Sequence, residues 1–117
     1  MNDYVLLDIE SDIPFKCLQA VDDPDLGFIL MDPYMLMPDY QVTIDTQDLS
    51  DLDVRDQQHL CLLVILTIPP ERPEQTTANL QGPIVINTEN YRAKQLVLVP
   101  SPYHTRHPLL VFEPVGV

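Results

Sequence analysis

The chain has 117 residues, 45% of them hydrophobic, and a formal net charge of −12 at pH 7, which describes one domain with a core of modest size. The charge is lopsided: residues 1–56 hold fourteen acids against Lys16 and Arg55, while residues 57–117 hold four acids and four bases. So acidic a chain excludes direct nucleic-acid binding, which runs on clustered Lys and Arg; a basic protein partner suits it better, with a solubilising face as the plain alternative.

Twelve prolines and three glycines make stiff corners, not long helices, the shaping element. In chain order, "DYVLLDIE" and "FKCLQAV" read as strands parted by a Ser-Asp-Ile-Pro corner. "LGFILMD" follows the turn "DDPD", where Pro24 presets φ. Pro33 and Pro38 bracket "YMLM", which is expected to be an edge strand or bulged corner. "YQVTID" alternates, with Tyr40, Val42 and Ile44 on one side. A single helix is expected over "TQDLSDLD", capped by Asp45 or Thr46, with Leu49 and Leu52 on one face. "LCLLVILTI" is apolar on both faces and reads as a central strand, one face in the core and the other under the helix. It is far short of the ~20 residues of a membrane helix. "PPERPEQTT" is a loop, residues 76–98 form a hairpin turning at "TENYR", and "PSPYHTRHPLL" runs irregularly over the surface. The pattern predicts an all-β, mainly antiparallel domain: a small closed or nearly closed β-barrel, or a sandwich, with one short helix.

Motifs of catalysis are missing from the sequence: it has no GxSxG, no glycine-rich phosphate loop and no HExxH. His104 and His107 form an H-x-x-H, but zinc needs further ligands and both cysteines lie in predicted strands. A calcium loop laid over Asp45–Asp56 fails at Leu49, where an oxygen ligand belongs, and at Ser50, where the turn glycine belongs. Cys61 sits in the most apolar segment, and alternation puts Cys17 and Lys16 on opposite strand faces, so reduced, inert thiols are expected. No cofactor, no metal and no enzymatic activity are expected.

"DLGFILMDPYMLMPDYQVTI", "LVILTIPP", "TTANLQGPIVIN" and "AKQLVLVPSPYHTRHPL" occur in this order and spacing. Together they closely resemble FliW, the bacterial flagellar assembly factor family, from about Tyr4 to Leu109. The carrying signature is Thr77-Ala78-Asn79-Leu80, Pro83-Ile84, Asn87, Ala93-Lys94-Gln95 and Tyr103-x-Thr105-x-His107-Pro108. The resemblance implies a cytoplasmic, non-enzymatic β-barrel that binds flagellin and the translational repressor CsrA as alternative partners. Flagellin export then frees the factor to bind CsrA and relieve repression of flagellin translation. Family members usually begin with a further strand and a turn ahead of "YVLLDIE", so residues 1–117 read as a single FliW-like domain apparently lacking that segment. An exposed N-terminal edge able to self-associate is the expected consequence.

Partner contacts are expected from Tyr34, Met35 and Met37 in the proline-bracketed corner and from the acidic group Asp22, Asp23, Asp25 and Asp32. The signature adds Asn79, Lys94, Tyr103 and His107. The five amides of the hairpin (Asn79, Gln81, Asn87, Asn90, Gln95) are read as scaffold first and recognition surface second. The rival reading from another class is a small-ligand-binding barrel or an unrecognised hydrolase, which would need a polar cavity holding a perturbed titrating group.

Overall fold

A computed structural model of the chain describes residues 3–9 and 14–109. Eight strands form one mainly antiparallel sheet: β1 (Tyr4–Asp8), β2 (Phe15–Ala20), β3 (Gly27–Met31), β4 (Leu60–Thr67), β5 (Thr77–Ala78), β6 (Ile84–Asn87), β7 (Arg92–Gln95) and β8 (His107–Pro108). The order β1-β2-β3-β4-β5-β8 forms the main path, and β6 branches from β4 to carry β7. The Ser-Asp-Ile-Pro corner lies largely outside the described residues.

The longest strand, β4, is where the sheet forks. Val64 and Ile65 pair with β3, Leu60–Leu63 with β6, and Leu66–Thr67 with β5. Between β5 and β6 the chain leaves the ladder over Asn79–Pro83, where Pro83 has no N–H to give. The expected barrel is therefore not formed. Among the described residues no ladder joins β1 to β7 or β8, and the two-residue β5 and β8 offer too few backbone bonds to close a cylinder.

Alternation along β4 sorts the core. Leu30, Leu63, Ile84 and Ile86 pack on one side of the sheet with Leu18, Phe28, Cys61 and Ile65. Met31, Tyr40, Val64, Leu66, Ala78 and Leu80 pack on the other, and beside them Leu52, Val85 and Leu96. Full burial of each such leucine or valine contributes roughly 1.5–3 kcal/mol.

The one α-helix among the described residues, α1 (Thr46–Asp51), is shorter than the sequence pattern suggests. Asp45 caps it by accepting the Asp48 amide at 2.8 Å. Leu52 follows as the C-cap and is 1% exposed against Leu60, Leu62 and Val85. The helix thus lies over one face of β4, as its apolar pattern predicted. "YMLM" is a 3₁₀ turn, Pro33–Met35, not an edge strand: Asp32 accepts the Tyr34 amide and Pro33 starts the turn with φ already set. "YQVTID" is extended with the expected alternation but makes no ladder. "AKQLVLV" leaves its ladder after Gln95, although the Leu96 and Leu98 amides still donate to the carbonyls of Pro83 and Gln81 at 2.8 and 2.9 Å. The tail is less irregular than expected, since β8 pairs with β5 and the Leu109 amide donates to Thr76.

Candidate functional site

Two surfaces are built on the helix-bearing side of the sheet. The first is the Pro33–Tyr40 corner. Tyr40 is 3% exposed, and its hydroxyl donates to the Leu80 carbonyl at 2.5 Å. Its ring meets Tyr34 edge-on at 5.9 Å and Tyr103 at 4.6 Å, which anchors the corner to the tail. Burial, with the neighbouring tyrosines, pushes the Tyr40 phenol well above its ordinary value. Tyr103 is half-buried, and its hydroxyl accepts the Gln41 amide at 2.8 Å. Outward from this rail stand Met35, 59% exposed, and Tyr34, 43% exposed. Met37 does not share that surface; it packs against the Tyr40 cluster.

The second surface is a groove of about 550 Å³ between residues 41–45 and 94–103. Gln41, Thr43 and Asp45 line one wall, Val97 and Val99 the other. At one end Lys94 Nζ lies 2.6 Å from Asp48 and 2.7 Å from Asp51. Those carboxylates hold the Lys94 ammonium above its ordinary range, and the Lys94 and Gln47 hydrogen bonds draw Asp51 below its own. Lys94 is thus a tether between β7 and α1.

The remaining predicted residues fall elsewhere. Asp22, Asp23 and Asp25 sit in the β2–β3 turn, where Asp23 accepts the Asp25 amide at 3.0 Å and Gln19 donates to the Leu26 carbonyl at 2.9 Å. Asp32 stands at the other end of β3, and five residues of strand separate the two by ~17 Å. The acidic group is therefore two groups. His107 pairs with Ala78 in the β5–β8 ladder, away from a shared site with Lys94. Among the described residues no group of three or more His, Cys, Asp or Glu is placed to hold a metal ion. Cys17 and Cys61 are free, and burial raises the Cys61 thiol.

The hairpin amides all serve backbone. Asn79 accepts the Gly82 amide at 2.9 Å and Gln95 donates to the Gly82 carbonyl at 3.1 Å. A Cβ at Gly82 would stand 2.9 Å from the Asn79 amide nitrogen, so only glycine fits this cradle undisturbed. Gln81 donates to the Leu98 carbonyl at 3.2 Å. Asn87, 1% exposed, and Asn90 both donate to the Leu52 carbonyl at 3.0 Å. They tie the hairpin to the end of α1. The sequence named Lys94 and Tyr103 singly; it gave no hint that Gln41, Thr43 and Asp45 stand across a groove from them, because that pairing is set by tertiary packing.

By fold the described residues form an open antiparallel β domain with one short helix, an exposed corner and a groove. A family model described as "FliW protein" matches residues 1–109. The chain is 44% identical over 109 residues to the "Flagellar assembly factor FliW" of Caldanaerobacter subterraneus subsp. tengcongensis, covering 93% of this chain and 72% of that relative. It is 40% identical over 106 residues to the protein of the same name from Natranaerobius thermophilus, covering 91% and 70%. A crystal structure of the flagellar assembly factor FliW superimposes with a TM-score of 0.86 at 40% identity, covering 94% of this chain and 76% of that one. The chain belongs to the FliW family of flagellar assembly factors.

Proposed function

We propose that this protein binds cytoplasmic flagellin and, when free of it, binds CsrA and relieves repression of flagellin translation. Family membership across residues 1–109 carries the reading. Alternative occupancy makes it a switch by mass action: whichever partner is in excess sets the free pool for the other. The exposed Tyr34 and Met35 offer a flexible apolar contact suited to flagellin, and the acidic first half suits a basic RNA-binding protein. The work asked of the protein is binding in the cytoplasm, not catalysis. The rival small-ligand reading gains nothing from the groove, because the one shifted cation there is held by two structural carboxylates.

Capture of flagellin and of CsrA from the same organism by the immobilised chain tests the reading. Capture of neither overturns it. Met35→Lys is expected to lose flagellin at unchanged melting temperature, while Met37→Lys is expected to lower the melting temperature because its side chain packs on the core. Self-association belongs to the same proposal: Val5, Leu6 and Leu7 of the edge strand β1 are 40–49% exposed, and Lys16 neutralises Asp8, the one charge within that strand. Sedimentation over a dilution series reads it, and a monomer at every concentration removes it.

A further inference from the structure

The groove between residues 41–45 and 94–103 contains an unused backbone edge. Leu96 is buried and Leu98 half-buried, while Val97 and Val99 are 74% and 72% exposed. This alternation is that of an extended run lying on the core, which ends where the chain bends at Val99. In an extended chain successive amides point to opposite sides. The Leu96 and Leu98 amides donate to Pro83 and Gln81, so those of Val97 and Val99 face the groove. Among the described residues, neither donates to a protein acceptor, and the Thr43 amide on the facing wall does not either.

Two exposed apolar side chains and two amides without a protein acceptor are part of what a sheet edge offers to an incoming strand: backbone bonds give affinity, and alternate side chains give specificity. The far end of the groove is acidic. Asp45 and Asp48 line it, and Lys94 is shared between Asp48 and Asp51, so three carboxylates at that end stand against one ammonium. We infer that this groove takes an extended segment of a basic partner protein as an added strand along Val97–Val99, with apolar residues over the two valines and a Lys or Arg toward Asp45. The inference rests on the proposed function for the identity of that partner, which of the two is the basic one, CsrA.

Val97→Pro removes the groove-facing donor and keeps an apolar side chain there. Its fixed φ suits an extended strand, its neighbour Leu96 is already extended, and the Leu96 and Leu98 bonds are untouched. A second variant, Val97→Lys with Val99→Lys, sets like charge against the basic segment at two exposed positions. Affinity for CsrA and for flagellin is measured for wild type and both variants, with melting temperatures, and amide hydrogen exchange is followed at Val97 and Val99 with and without CsrA. The expected result is a loss of at least fivefold in CsrA affinity in both variants, flagellin binding and melting temperature held, and slowed exchange at both valines in the wild-type complex. Unchanged CsrA affinity, or exchange that CsrA does not slow, overturns the groove alone. Loss confined to flagellin overturns the choice of occupant, and so does exchange that slows in the free chain as its concentration rises, which would make the occupant a second copy. A wild-type chain that binds neither partner overturns the proposed function, and the inference with it.

Discussion

At the scale of single residues, the amides of the hairpin show how polarity is used without a site. Asn87 has almost no solvent to turn to, yet its side chain is fully used: it donates to Leu52 and accepts the Glu89 amide at 3.0 Å. Asn87→Ala is expected to cost about 1–2 kcal/mol in urea unfolding, because Asn90 still serves the Leu52 carbonyl. Removing both asparagines should cost more than the sum of the single losses, since the buried carbonyl is then left bare. Tyr40 supplies a pH dependence. Its phenol is raised from the ordinary value of 10.0, chiefly by burial, so the folded state holds the proton more tightly than the unfolded chain. That stabilisation is fully present below pH ~10 and is lost as pH rises toward the folded value. Melting temperatures in alkaline buffer should fall for wild type, and fall less steeply for Tyr40→Phe, which starts lower for want of the bond to Leu80.

At the scale of elements, α1 is too short to stand alone: six residues form under two turns. What holds it is Leu52 beneath and Lys94 beside it. Leu52→Ala is expected to cost about 2–4 kcal/mol by denaturant unfolding. Lys94→Ala should lower the melting temperature slightly, and the Asp51 carboxyl, followed by NMR, should titrate at a higher pH once its lysine is gone. The helix, its cap and strands β1 to β4 were legible in the sequence, because Asp45, the spacing of Leu49 and Leu52, and the continuous apolar run of β4 are local signals. The exposed corner at Tyr34 and Met35 was legible from Pro33 and Pro38. Four things were not. Met37 differs from Met35 in burial by tertiary packing, which the shared sequence pattern does not record. The acidic group was divided because β3 carries Asp25 and Asp32 to opposite ends. Closure was misjudged because strand count does not reveal that β5 and β6 share β4. The groove stayed hidden for a related reason: "QLVLV" reads as one continuous strand, whereas its ladder stops at Gln95.

At the scale of the molecule, the asymmetry of charge is a statement about encounter. With all of the net −12 in residues 1–56, association with a basic partner should be fast at low salt and should slow as the Debye length shrinks to ~8 Å near physiological ionic strength. Stopped-flow on-rates for CsrA across a salt series test this, and a flat series reduces the acidic half to a solubilising surface. The fork at β4 bears on how the domain unfolds. Because β3, β5 and β6 all pair with this one strand, loss of β4 would release all three together, whereas β1 and β2 hang on the sheet through β3 alone. Coincident unfolding transitions by different probes are therefore expected for the strands that share β4. On the proposed function, handover between the two partners is then decided by occupancy and charge on a frame that stays assembled.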